Sequence, residues 1–147
     1  MTEISYGYIN LNKNIDITDP SYDEDVWCRI NNFPIPAGEY ECYVKLLNNE
    51  ETDGFGNRIA VCGIRKEKPD QYQRIGMIGV DSGMAGFFNC DNKKVFEDMI
   101  QHGYTDDVFA GDDYFYTSSG YGDGGYDVYA GYKDGNITEV YIEFIRA

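Results

Sequence analysis

Several things are scarce in this chain, and each scarcity removes a class of function. No stretch approaches the roughly 18 consecutive apolar residues of a membrane span. No basic start leads into an apolar run of the kind that marks an export signal, so a cytoplasmic protein is expected. Cations are few: 12 Lys and Arg face 26 Asp and Glu, for a formal charge of −14. Proteins that bind DNA, RNA or anionic membranes draw their affinity from Lys and Arg that displace counterions, so neither direct nucleic-acid binding nor membrane binding is expected. Four cysteines, Cys28, Cys42, Cys62 and Cys90, are scattered with no Cys-x-x-Cys spacing, which argues against a zinc site or redox pair. Cys42 and Cys62 fall inside apolar strand patterns and read as small buried hydrophobes. The single histidine, His102, closes an amphipathic segment, where a cation suits a helix terminus better than it suits catalysis. No internal repeat is visible.

What is abundant is acid and aromatic rings. Residues 1–50 hold three cations against nine acids, residues 51–100 seven against eight, and residues 101–147 two against nine. Between Lys94 and Lys133 lie eight carboxylates, no Lys or Arg, and seven of the fourteen tyrosines. So many rings are inconsistent with a disordered chain. Tyrosine buries large area while keeping a polar handle and is enriched at interface hot spots. Alternate tyrosines on strands equally serve as core and cross-strand pairs.

The pattern along the chain is mostly strand. Gly38–Leu46 alternates, with Tyr40, Cys42, Val44 and Leu46 to one side and Glu39, Glu41 and Lys45 to the other. Strands are also expected at residues 4–11, 58–65, 74–80, 84–88, 114–118, 126–132 and 137–145, the last with Val140, Ile142 and Phe144 inward. Asp134-Gly135 predicts a tight hairpin, because glycine readily takes positive φ. Two helices are expected. Ser21 and Glu24 match a capping box that would open a short helix over residues 22–30. Asp91 would cap a helix over residues 92–102 that packs through Val95, Phe96, Met99 and Ile100. The fold class is therefore mainly β (α+β): a single domain, residues 1–147, built as an antiparallel β-sandwich or curved sheet of about seven strands with one packed helix and one short helix.

The run Ser119-Gly120-Tyr121-Gly122-Asp123-Gly124-Gly125-Tyr126-Asp127-Val128-Tyr129, followed by a closing hairpin, resembles the C-terminal signature of a family of small uncharacterised proteins from bacteria and their phages. The turn Val80-Asp81-Ser82-Gly83-Met84-Ala85-Gly86-Phe87-Phe88 and the earlier Asp19-Pro20-x-Tyr22 resemble other blocks of that family. The resemblance implies a compact, β-rich single domain.

Chemistry is harder to place. The glycine run leads into a strand, lacks a Lys and carries Asp123, so it does not have the mechanics of a phosphate loop. Asp106, Asp107, Asp112 and Asp113 bracket a short apolar stretch without the spacing of a calcium loop. Asp81, Asp112 and Asp123 are the weak candidates for a shared divalent ion; no cofactor is expected. Glu39, Glu41, Glu139 and Glu143 have the spacing of an exposed sheet face, and none is singled out as an acid or base. Ser118 and Ser119 lack a nucleophile-elbow pattern. The expected function is a non-enzymatic acidic binding or inhibitor protein that engages a basic protein surface such as a nuclease, whether as a nucleic-acid mimic, an immunity protein or a phage counter-defence protein. Its binding residues would be Asp106, Asp107, Asp112, Asp113, Tyr114, Tyr116, Tyr121, Asp123, Tyr126 and Asp127. The alternative is a module that binds or sequesters a small nucleotide-like ligand; a metal-assisted hydrolase ranks behind both. Either a monomer or a homodimer fits, depending on whether an edge strand is left unprotected.

Overall fold

Apolar side chains at alternate positions of the strands build the core. The computed structural model describes residues 1–22, 26–52, 54, 56–90 and 107–146. In β4 (Gly38–Leu47) Tyr40, Cys42 and Val44 are buried in the core, and in β11 (Asn136–Glu143) Val140 and Ile142 are buried with them. The other strands are β1 (Thr2–Leu11), β2 (Asn14–Thr18), β3 (Ile30–Pro34), β5 (Arg58–Arg65), β6 (Gln71–Val80), β7 (Met84–Asn89), β8 (Val108–Ala110), β9 (Tyr114–Ser118) and β10 (Gly124–Lys133). They form a six-stranded sheet in the order β1-β4-β5-β11-β10-β6 and a five-stranded sheet in the order β3-β2-β7-β9-β8. All pairs are antiparallel.

The two sheets face one another across a shared core. Ile9, Val44, Ile64, Ile78, Val128 and Ile142 come from the larger sheet, and Ile15, Ile17, Phe87 and Phe115 from the smaller. Each such side chain, fully buried, stabilises the fold by about 1.5–3 kcal/mol. Both sides of the sandwich are tied. At β1, the Asn10 N–H donates to the Asp112 carbonyl (2.9 Å) and the Tyr6 ring lies 6.3 Å from Phe115. At β6, the Gly79 N–H donates to the Cys28 carbonyl (2.8 Å), and Gly76 leaves room for Ile30.

The expected hairpin is present: Asp134 and Gly135 both have positive φ, 52° and 83°, between β10 and β11. Other expectations need correction. Every regular element among the described residues is a strand, eleven of them rather than about seven, so the α+β class gives way to an all-β sandwich. The short helix expected over residues 22–30 is overturned: residues 27–29 are turn and bend, and Ile30 already begins β3. The physical reason lies in Ser21 and Arg29. The Ser21 hydroxyl donates to Asp19 Oδ1 (2.7 Å) instead of capping a helix, and Arg29 is drawn to the Asp16 carboxylate (2.9 Å) and the Tyr22 carbonyl (2.8 Å). The helix expected over residues 92–102 lies outside the described residues.

The smaller sheet tests the packing most sharply at Gly86. A Cβ there would stand 2.1 Å from the Phe115 carbonyl oxygen and 2.4 Å from the Tyr116 Cα, atoms of the backbone that cannot swing away. Gly86→Ala should destabilise the protein by about 2 kcal/mol or more, as overpacking does. At Gly125 the nearest atom is the Met77 sulfur at 3.4 Å, so Gly125→Ala should stay within about 0.5 kcal/mol. Urea denaturation of the two variants checks both.

Candidate functional site

Three segments far apart in sequence meet at one end of the sandwich, and a single carboxylate joins two of them. Asp19 follows β2 and is fully buried. Its Oδ1 accepts from the Ser21 N–H (2.8 Å), the Ser21 hydroxyl (2.7 Å) and the Ser82 hydroxyl (2.7 Å). Its Oδ2 accepts from the Asp81 and Ser82 N–H groups, each at 2.7 Å. Five donors, three of them backbone amides, satisfy the charge where no cation of the described residues pairs with it. Charge-assisted bonds of this kind are about twice as strong as neutral ones. Tyr22 completes the corner: partial burial, with the Asp81 carboxylate and Cys28 beside it, pushes its phenol well above the usual range.

The glycine-rich loop is the third segment. The Ser119 N–H donates to the Gly83 carbonyl (3.0 Å), so the loop hangs from the Asp81–Gly83 turn. Inside it, the Ser119 hydroxyl donates to the Gly122 carbonyl (2.7 Å), and the Tyr126 hydroxyl donates between the carbonyls of Gly122 (2.6 Å) and Ser119 (3.1 Å). The Tyr126 ring stands edge-on to Phe144, 5.1 Å away. Gly120 has φ +61°, and a Cβ there would crowd Phe144 and Ile145 at 3.0–3.1 Å; the loop needs glycine at that point. Between loop and sheets opens a cleft of about 420 Å³, lined by Tyr6, Asn57, Arg58, Asp107 and Gly120 to Gly122 among others. The Arg58 guanidinium lies 5.3 Å from the centre of the Tyr121 ring.

The ten expected binding residues do not form one surface. Asp107, Tyr121 and Asp123 gather at this end, together with Asp81, and all four are exposed. Asp112, Asp113 and Tyr114 sit at the other end of β9, about 14 Å away for a five-residue strand. Tyr116 is fully buried. It stacks with Phe109 at 4.8 Å. Tyr126 is the wedge under the loop. Asp127 faces outward on the larger sheet, where Arg74 (2.8 Å) and Arg146 (3.5 Å) neutralise it. Asp106 lies outside the described residues. Of the candidate metal ligands, Asp112 stands at the end opposite Asp81 and Asp123, too far to share an ion whose ligands must lie about 2.5 Å from it. Among the described residues no group of three His, Cys, Asp or Glu is placed to hold a metal.

Two carboxylates with unusual surroundings escaped the sequence reading. Asp19 was legible only as part of an Asp-Pro turn. Glu139 has the spacing of an exposed face, yet it is only 6% exposed. On the outer side of the larger sheet, the hydroxyls of Tyr43 and Tyr72 both donate to it, Tyr72 to Oε1 at 2.7 Å and Tyr43 to Oε2. The clue was glycine in strand interiors. A Cβ at Gly63 would fall 2.3 Å from the Tyr43 ring, and one at Gly131 would fall 2.5 Å from the Pro69 ring and 3.1 Å from the Tyr72 ring. These positions are bare because rings lie over them.

Compared with protein-family models, curated proteins and solved structures, the chain matches none.

Two predictions follow from these carboxylates. Asp19→Ala leaves three backbone amides and two hydroxyls without their acceptor, and should cost about 3 kcal/mol or more, read as a lowered urea midpoint. The second concerns pH. Arg65 holds the carboxyls of Glu3 and Glu41 below their ordinary 4.5, and Arg74 holds Asp127 below its ordinary 3.8. Because the folded values are depressed, this stabilisation is present in full above about pH 4.5 and is lost as the pH falls through the lowered values. Exposure limits each pair to less than about 1 kcal/mol. Urea titrations at about pH 6 and about pH 3 should show that Arg65→Met narrows the loss of stability on acidification.

Proposed function

We propose that this protein is a non-enzymatic binding protein that engages a basic protein surface through the loop end of its sandwich. One observation carries this reading. Asp81, Asp107 and Asp123 are exposed and belong to no ion pair among the described residues; the turns of Asp81 and Asp123 are cross-linked through Asp19 and Ser119, and the Ser118 N–H donates to the Asp107 carbonyl (2.8 Å). Tyr121, 54% exposed, rises among them. Preorganised carboxylates cost a partner little ordering entropy, and a tyrosine among them supplies the kind of side chain that anchors interfaces. The turns of the opposite end mix Lys13, Lys66, Lys68 and Lys133 with their acids, so the loop end is the stronger attractor for a cationic surface. A nuclease is such a partner, since its nucleic-acid site is basic; an immunity or counter-defence role would follow from blocking it.

A second reading, a small nucleotide-like ligand in the cleft, is favoured by Arg58: β5 begins at the cleft and brings a guanidinium over the Tyr121 ring. A metal-assisted hydrolase ranks behind both, since Asp112 stands at the end opposite Asp81 and Asp123.

Calorimetric titration against a set of purified basic nucleases tests the main reading. Affinity should fall at least about tenfold between about 0.05 M and about 0.5 M salt, since charge-led association is screened. The triple variant Asp81→Asn, Asp107→Asn, Asp123→Asn should bind at least about tenfold more weakly, whereas Asp112→Asn with Asp134→Asn, at the opposite end, should leave affinity within about twofold. Salt-independent binding, or equal losses from the two sets of substitutions, would overturn the proposal.

A further inference from the structure

The outer face of the six-stranded sheet carries a second, separate site. Its residues fall in rows set by strand register. One row runs Tyr43, Gly63, Tyr141, Tyr129 across β4, β5, β11 and β10; the next runs Glu41, Arg65, Glu139, Gly131, Tyr72 and reaches β6. Bare Gly63 lets Tyr43 lie along the sheet from one side, bare Gly131 makes room for Pro69 and Tyr72 on the other, and both phenols converge on Glu139 between them. Tyr141 stands beside them, stacked on Tyr129 at 5.1 Å and edge-on to Tyr72 at 5.7 Å. The result is a pocket of about 300 Å³ with Glu139, Tyr43, Tyr72, Tyr141, Glu143 and Lys45 among its walls.

The central carboxylate of this pocket has no counter-charge in contact with it among the described residues. Arg65 is the cross-strand neighbour of Glu139 but turns away, donating to Glu3 (2.8 and 3.0 Å) and Glu41 (2.7 Å). Glu139 is in no ion pair among the described residues. An ionised carboxylate has about four acceptor positions, and the two phenols fill two of them. Aromatic faces beside a desolvated carboxylate form the surroundings that favour a bound organic cation. The same face already demonstrates which cation suits it. Arg65 lays its guanidinium over the Tyr43 ring, 4.3 Å from the centroid, while its nitrogens meet two carboxylates. A planar guanidinium can stack on a tyrosine and bind a carboxylate through two nitrogens at once, which an ammonium cannot.

We infer that the Glu139 pocket is a binding site for a small guanidinium-bearing ligand, its planar cation packed against the rings of Tyr72 and Tyr141 and hydrogen-bonded to Glu139. This site is independent of the loop end and does not rest on the reading given for it. Lys45, whose ammonium is in no ion pair among the described residues, opposes the ligand, whereas the N-terminal ammonium of Met1, also at the pocket wall, is paired with Glu51 at 3.1 Å.

The test is titration of the isotope-labelled full chain with methylguanidinium and with arginine amide, followed by amide chemical shifts. Saturable shifts are expected, centred on Tyr43, Gly63, Tyr72, Gly131 and Tyr141, with weaker response to methylammonium at equal concentration. Glu139→Gln, close in volume and still able to accept from a phenol, should weaken binding at least about tenfold. Lys45→Met should strengthen it severalfold. If Glu139→Gln proves unfolded, Lys45→Met, a change at a half-exposed position, still decides the matter. Shifts that never saturate, that match those from methylammonium, or that ignore both substitutions would overturn the inference.

Discussion

The Asp19 carboxylate is the constraint on which the loop end depends. Burying a charge carries a penalty of several kcal/mol, and here the penalty is offset by hydrogen bonds rather than by a counter-charge. Those bonds come from Ser21, Asp81 and Ser82. The carboxylate therefore fixes the turn after β2 against the turn before β7, and the carbonyl of Gly83 carries the constraint on to Ser119. Remove the acceptor and the glycine-rich loop loses its anchor, even though no atom of that loop touches Asp19. The exposed aspartates owe their fixed positions to a residue that solvent never reaches.

Glu139 offers an instructive contrast. Both carboxylates lie in protein rather than in water, and both avoid cations. Asp19 is saturated by five donors and has no remaining capacity, so it is a structural tie. Glu139 receives only two phenols and opens on a cavity, so it retains capacity for a guest. Burial pushes the phenols of Tyr43 and Tyr72 upward, with the Glu139 charge adding to the effect, which favours their role as donors to it. The two environments differ because one carboxylate is met by backbone amides of a turn, and the other lies on a sheet whose amides are already engaged in strand pairing.

Strand alternation was legible in the core-facing positions of β4 and β11, although Tyr43 and Glu139 on their outer faces are buried as well. It failed at β5, which is buried at all six central positions, because Tyr43 covers its outer face at Gly63. The strands β2, β3 and β8 are short and carry Asn, Pro or neighbouring acids, so their pattern is too weak to stand out. Ser21 was ambiguous in a different way: a hydroxyl three residues before a Glu can cap a helix or serve a nearby carboxylate, and Asp19, two residues earlier, offered the second option. The tyrosine-rich stretch is contiguous in sequence and dispersed in space, since β8 and β9 run back and forth between opposite ends and side chains alternate across each strand.

Sequence alone determined what period-two geometry, turn chemistry and composition can determine: a β-rich chain, an Asp-Gly hairpin, inward Val140 and Ile142, and a strongly acidic surface. These are local properties, settled by neighbours a few residues away. Which carboxylates are tied, paired or left available was decided only in three dimensions. Tyr43 reaches Glu139 across 96 positions of chain, and Ser82 reaches Asp19 across 63. Contacts of that span are set by the order in which strands join their sheets, and no local pattern encodes that order.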